Sequence, residues 1–216
     1  MVLEPQALVE KIVARRRGGF CYELNGAFAT LLQALGYRVT LLAGRVYSEK
    51  NDAFGPPFDH LALRVEAQDT GDGGPWLVDV GFGRHCVLPL RLEDRGDQHD
   101  PGGVFRINET GEGDLDVYRD GELQYRLEQR PRALADFEAT CWWQQTAPDS
   151  HFLRSLVCSL GGADDRVTLS GRTLIVTCAG DRSEEHLEDE AAVLAAYRER
   201  FGIVLEHEHE PILKTS

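Results

Sequence analysis

The sequence has no apolar run approaching the roughly 18 residues that a membrane-spanning helix requires, and its first residues lack the charged-then-apolar order of a signal peptide. A cytoplasmic protein without a membrane partner is the expectation. Basic residues are scarce: 23 Lys and Arg face 36 Asp and Glu, for a formal charge of -13. General attraction to nucleic acid is thereby excluded, and an anionic ligand needs a local basic pocket. The five cysteines are odd in number and scattered, with no CxxC, which suits free thiols in a reducing compartment better than a disulfide framework. Cys86, Cys141, Cys158 and Cys178 read as small buried hydrophobes. Internal repeats, low-complexity tracts and a strand–GxGxxG–helix phosphate loop are missing; Gly81-Phe82-Gly83 is too short to be one. No metal site is expected, because the EHEHE run Glu206–Glu210 reads as a solvated polar tail before it reads as a chelate.

What is present suffices for a globular fold. With 216 residues, 42% hydrophobic, the chain can form one large domain or two to three subdomains. A helical pattern starts at Pro5 and runs to Arg17, and the Gly18-Gly19 break follows. Cys21, Leu24, Phe28, Leu31, Leu32 and Leu35 then trace one helical face, which predicts a helix stopped by Gly36 with that face, Cys21 included, turned inward. Short strands are expected at 37–47, 60–65, 76–80, 104–107, 115–118 and 123–127, separated by Gly/Asp turns. They form an antiparallel meander that closes into a small barrel. The helical period returns from Pro131 to about Phe152 as a connector, stopped by Pro148. A hairpin at 167–176, a helix at 188–201 and a last strand at 203–205 complete an α+β fold.

The chemistry centres on RGGFCYELNG, Arg17–Gly26. A thiol at a helix start meets unpaired N–H groups and the positive end of the dipole, which favour thiolate. A nucleophilic cysteine also needs a base and a group that orients the base. Of the seven histidines only His60 heads an alternating strand, HLALRV, with another buried strand, WLVDV, close behind; that second strand holds Asp79 among apolar neighbours. The numbers 60 and 79 have an odd sum, so any hairpin register with odd-sum pairs puts both side chains on one face, while a one-residue slip separates them. Taken singly, Cys21 is equally a buried filler, His60 a satisfied strand-end histidine and Asp79 an anchor for a loop. Together the three compose a Cys/His/Asp triad.

RGGFCYELNG, DHLALRV and WLVDVGFG, in that order, resemble the three signatures of the arylamine N-acetyltransferases, and the similarity continues through PRALADFEATCWWQQTAPDSHF and SGRTL to RERFGIVL. The resemblance implies catalytic Cys21, His60 and Asp79, with Phe82 lining the acceptor pocket. It implies a helical domain at 1–36, a β-barrel domain at 37–132, a connector helix at 133–153 and an α/β lid at 154–216. Acetyl-CoA would be the donor and co-substrate, an arylamine or arylhydrazine the acceptor, and acetyl-Cys21 the intermediate of a ping-pong reaction. An amide synthase closing a macrolactam uses the same acyl-cysteine, and an inactive paralogue acting as a binding protein is the reading from another class. Family members carry a considerable helical segment before the point that matches Leu3, so an N-terminally truncated member is implied, with an apolar patch left uncovered on the first helices.

Overall fold

A computed structural model describes residues 1–67, 74–154, 156–161, 165–179 and 181–205. The chain divides into two compact units, one of Met1–Arg15 and Gly19–Cys141, the other of Arg16–Gly18 and Trp142–Ser216.

The first unit opens with α1 (Pro5–Val9), where Pro5 occupies a first-turn position whose N–H would lack a partner in any case. A wider π-type turn, Glu10–Ala14, extends it. The helical path stops short of the expected Arg17, because Arg16 turns left-handed at φ 51°. Helix α2 (Cys21–Ala34) then begins on the cysteine itself. Its inward side differs from the expected one. Tyr22, Glu23, Asn25, Gly26, Ala27 and Ala29 are buried, whereas Leu24, Phe28 and Leu32 are half-buried and Leu31 and Leu35 are exposed, Leu35 at 65%. Cys21 is half-buried. The reason is close approach: a Cβ on Gly26 would come within 2.6 Å of Leu8 Cδ1, and the Tyr22 hydroxyl donates to the carbonyls of Phe58 and Asp59. Small and hydrogen-bonding residues let the helix approach its neighbours more closely than a row of leucines would.

A nine-stranded antiparallel sheet follows among the described residues. It comprises β1 (Arg38–Ser48), β2 (Ala53–Phe54), β3 (His60–Glu66), β4 (Trp76–Val78), β5 (Leu90–Arg91), β6 (Gln98–Asp100), β7 (Gly103–Glu109), β8 (Leu115–Arg119) and β9 (Glu122–Leu127). The order is β5-β4-β3-β1-β9-β8-β7-β6, with β2 paired to β1. The sheet curls into a nearly closed barrel, as the α+β reading expects. Its two edges are stitched by one side chain: the Gln98 amide accepts from Arg91 N at 2.6 Å and donates to Arg91 O at 2.9 Å. That bond satisfies edge groups that would otherwise stand unpaired. The barrel interior holds Leu42, Ala62, Leu77, Phe105, Ile107 and Val117 among others. A second cluster, with Leu8, Tyr22, Ala29, Leu61, Leu63 and Phe137, lies between the helices and the outer face of β1 and β3. Strand β3 is therefore covered on both faces, with Ala62 inside the barrel and Leu61 and Leu63 outside. Strands β5 and β6, of two and three residues, are too short to show as a periodic pattern.

The expected connector is realised in pieces: a tight 3₁₀ turn Leu134–Phe137, α3 (Glu138–Thr146), which runs from the first unit into the second, and α4 (His151–Arg154) beyond Pro148. The second unit contains a four-stranded antiparallel sheet of β10 (Val157–Gly161), β11 (Asp165–Ser170), β12 (Thr173–Cys178) and β13 (Asp181–His186), then α5 (Glu190–Phe201). The β11–β12 pairing closes Ser170 on Thr173 around Gly171, at φ 55°. Helix α5 is capped by the Asp189 carboxylate, which accepts from Ala192 N at 2.8 Å, and ends in left-handed Gly202. Its inward residues Val193 and Ala196 pack with Leu169, Leu174 and Leu187. The strand expected at 203–205 is not seen: among the described residues these three make no sheet pairing. Of the four cysteines expected to be buried, Cys141 is; Cys86 and Cys158 are half-buried and Cys178 is exposed. The run Glu206–Glu210 lies outside the described residues.

Candidate active site

The start of α2 is built to present Cys21. The Glu23 carboxylate, 2% exposed, accepts from Phe20 N at 3.1 Å and from Lys11 Nζ at 2.7 Å. It thereby pairs one of the amides that a helix start leaves open. The glycine before Phe20 is required by this carboxylate, because a Cβ on Gly19 would sit 2.8 Å from Glu23 Oε2 and 2.8 Å from Glu23 Cβ. On the strand side, the Tyr22 hydroxyl holds the Phe58 and Asp59 carbonyls at 2.9 and 3.1 Å, immediately before His60. The Cys21 thiol lies 3.9 Å from Asp59 O.

Strands β3 and β4 pair Leu63 with Val78, Arg64 with Leu77 and Val65 with Trp76. Every pair has an odd sum, so His60 and Asp79 share the barrel-interior face with Ala62 and Leu77. His60 Nε2 and Asp79 Oδ2 are 2.6 Å apart, both side chains buried. The other carboxylate oxygen, Oδ1, accepts three bonds, from Asn25 Nδ2 at 2.9 Å, Gly81 N at 2.9 Å and Phe82 N at 3.1 Å. Asn25 is a knot in its own right: it also donates to Leu61 O at 2.6 Å and accepts from Val80 N at 2.9 Å.

The electrostatics follow from this wiring. Burial by itself favours neutral groups, but His60 and the donors around Asp79 outweigh it and hold the Asp79 carboxyl below its ordinary value. Burial likewise opposes charge on His60, yet the Asp79 carboxylate and Cys21, each through charge and a side-chain hydrogen bond, raise it well above the ordinary imidazole value. With Nε2 committed to Asp79, the ring's second nitrogen is the one left for another partner. Burial, by contrast, pushes the neighbouring Cys86 thiol up to about 12, which leaves it protonated and inert at neutral pH.

An aromatic cage surrounds the imidazole. The Phe82 ring stands edge-on to His60 with centroids 5.1 Å apart, and Tyr125 lies 5.0 Å from His60 and 4.9 Å from Phe82. All four residues singled out from the sequence, Cys21, His60, Asp79 and Phe82, thus meet in one place. Sequence reasoning missed Asn25, Tyr125 and His85. Asn25 is four residues from Cys21 and shares its helix face, and Tyr125 falls at an inward position of β9, so both carried a signal. His85 stood in a loop after GFG with nothing to mark its burial; it is 5% exposed, and its Nε2 lies 2.9 Å from the Tyr125 hydroxyl. His99 and His186 are exposed.

A thiol at a helix start facing an imidazole and a buried carboxylate is the equipment of covalent acyl chemistry. An N-acetyltransferase family model matches residues 1–210. An arylamine N-acetyltransferase of Mycobacterium tuberculosis is 39% identical over 206 residues, 93% of this chain and 72% of that protein. The solved structure of the M. tuberculosis arylamine N-acetyltransferase aligns with a TM-score of 0.81 at 39% identity, covering 94% of this chain and 76% of that one. That of the Mycobacterium marinum arylamine N-acetyltransferase in complex with CoA gives 0.82 at 38% identity, with 94% and 76% covered. The chain belongs to the arylamine N-acetyltransferase family of acyltransferases.

Proposed function

We propose that this chain moves an acetyl group from acetyl-CoA to the nitrogen of an arylamine or arylhydrazine, by a ping-pong route through acetyl-Cys21. Cys21 is the nucleophile, His60 its proton partner and Asp79 the group that orients His60. The Cys21 thiolate attacks the thioester carbonyl carbon, the bond from that carbon to the CoA sulfur breaks, and His60 gives its proton to the departing thiolate. The amine then attacks acetyl-Cys21, its proton passes to His60, and the cysteine sulfur leaves as the thiolate. The amide of Cys21 at the first turn of α2 is the oxyanion donor of both steps. Phe82, whose ring meets His60 edge-on, lines the acceptor pocket with an apolar aromatic face suited to an aryl ring.

The observation that carries this reading is the 2.6 Å contact between His60 Nε2 and Asp79 Oδ2, since it commits that nitrogen and reserves the other for the thiol. The M. marinum relative crystallised with CoA supports the donor. The test is intact mass after incubation with acetyl-CoA and no amine. The wild-type chain gains one acetyl group, Cys21→Ala gains none, and addition of an aromatic amine discharges the adduct. A folded wild-type chain that stays unmodified refutes the reading.

A further inference from the structure

His85 is a buried imidazole that the acyl-transfer steps leave unused. It packs against Phe82, Phe105 and Tyr125 with ring centroids 5.0, 4.9 and 5.2 Å away. Nε2 is 2.9 Å from the Tyr125 hydroxyl, and Nδ1 has no hydrogen-bond partner among the described residues. Burial lowers its pKa to about 4; of the charged or titratable groups acting on the ring, His60 and Arg119 add to that effect, and Asp79 and Asp100 oppose it without overcoming it. At neutral pH the ring therefore carries a single proton, on one nitrogen or the other.

Tyr125 decides which. Its hydroxyl is fully buried and has one proton, for which two acceptors compete: His85 Nε2 and the Asp79 carboxylate, which acts on the phenol through both charge and a side-chain hydrogen bond. If the phenol donated to His85, the imidazole proton would sit on Nδ1 as a buried N–H without an acceptor, and phenol lone pairs would face a carboxylate. If His85 donates instead, the unpartnered Nδ1 is only a bare lone pair, and the phenolic proton makes a charge-assisted bond to Asp79. An unmade buried donor costs more than an unused acceptor, and bonds to charged groups are the stronger ones, so both considerations select the second arrangement.

We propose that His85 is a positioning residue for the acyl transfer: its Nε2–H donates to the Tyr125 hydroxyl and turns the phenolic proton onto Asp79. Two aligned dipoles then present their positive ends to the carboxylate. They keep Asp79 ionised and temper its hold on the His60 proton, which must leave and return within each turnover. The catalytic consequence rests on the proposed roles of Cys21, His60 and Asp79; the hydrogen-bond direction does not.

The decisive measurement is ¹⁵N NMR of the full chain labelled at histidine, without acetyl-CoA. The His85 proton is expected on Nε2, and a proton on Nδ1 overturns the proposal. The same spectra follow the His60 titration in variants. His85→Leu and Tyr125→Phe each raise the His60 midpoint by roughly half a pH unit or more. His85→Gln, whose amide N–H reaches the same oxygen, leaves it in place. In the Tyr125→Phe background a change at His85 adds nothing further. An unmoved midpoint in Tyr125→Phe, or shifts that simply sum in the double variant, overturns the proposal; should His85→Leu fail to fold, His85→Gln and Tyr125→Phe carry the comparison. Because these readouts need no turnover, a chain that forms no acetyl adduct would refute the proposed function without touching the tautomer result.

Discussion

Gly81→Ala tests the architecture of the site at its tightest point. A Cβ at residue 81 would lie 2.6 Å from Cys21 Cα, 3.0 Å from Cys21 Cβ and 2.7 Å from Asn25 Nδ2. Ordinary carbon–carbon contact begins near 3.5 Å, so the new methyl is about 1 Å too close to the helix that carries the thiol. Nothing there can step aside cheaply: Cys21 Cα is backbone of the first turn of α2, and Asn25 Nδ2 is bonded to Leu61 O and Asp79 Oδ1. The displacement must instead separate α2 from the Asp79–Phe82 segment, which moves Cys21 away from His60. Overpacking of this kind costs about 1–3 kcal/mol of stability. A shift of roughly 1 Å between reacting groups costs on the order of 10²-fold in rate. The expected variant is folded, with a modestly lower melting temperature and a rate of acetyl-Cys21 formation about two orders of magnitude down, measured by quenched-flow mass spectrometry with acetyl-CoA. Gly81→Ala with wild-type acetylation kinetics would refute the claim that Cys21 and the Asp79 loop are held in fixed contact.

Asp79→Asn places an amide opposite His60 Nε2 and favours the tautomer that cannot accept the thiol proton; a loss of roughly 10³–10⁴-fold in acetyl transfer is expected, and a loss under tenfold in steady-state assays would speak against the orienting role. Lys11→Met leaves the buried Glu23 carboxylate with Phe20 N as its remaining hydrogen bond seen here, and lowers stability by about 1–3 kcal/mol in urea unfolding, with Lys11→Arg restoring most of it. His85 gives a pH signature whose sign is fixed: its folded value, about 4, lies below its ordinary 6.5, so the unfolded chain takes up a proton first and stability falls as pH drops between those values, by on the order of 3 kcal/mol. His85→Gln removes that part of the acid destabilisation, and a pH–stability curve identical to wild type would contradict it. Asp189→Ala deletes the cap on Ala192 N and costs about 1 kcal/mol, read as a lower melting temperature.

The elements legible in the sequence are those whose signals are local. Helix α2 begins at Cys21 because two glycines precede a periodic run, and the β3–β4 register follows from residue parity, which brought His60 and Asp79 to one face. The errors have one physical origin, that contact with the rest of the fold overrides a local pattern. Hydrophobic periodicity assigned the inward face of α2 to its leucines, yet closest approach went to Gly26, Ala29 and Tyr22, with Leu31 and Leu35 left exposed. Residues 203–205 have strand composition but make no sheet pairing among the described residues. His85 was invisible for the same reason: a histidine in a glycine-bounded loop looks solvated until Phe82, Phe105 and Tyr125 are packed around it.

The spacing between Cys21 and Asn25 explains why a thiol on a helix and a histidine on a barrel can be kept in register. Residues four apart share a helix face, so the thiol and the amide project toward the same strand pair. Asn25 fastens that face at three points: the carbonyl of Leu61, next to His60 on β3; the carboxylate of Asp79; and the amide of Val80. The bonds that satisfy Asn25 are thus the same ones that fix the distance from Cys21 to His60 and the rotamer of Asp79. Replacing Asn25 with leucine would keep the branching of its side chain but leave Leu61 O and Val80 N without this partner and remove one of the three donors to Asp79 Oδ1. The helix would then be free to slide on the barrel by the fraction of an ångström that acyl transfer cannot tolerate, and the largest loss would fall on the rate of Cys21 acetylation, with a smaller one on stability.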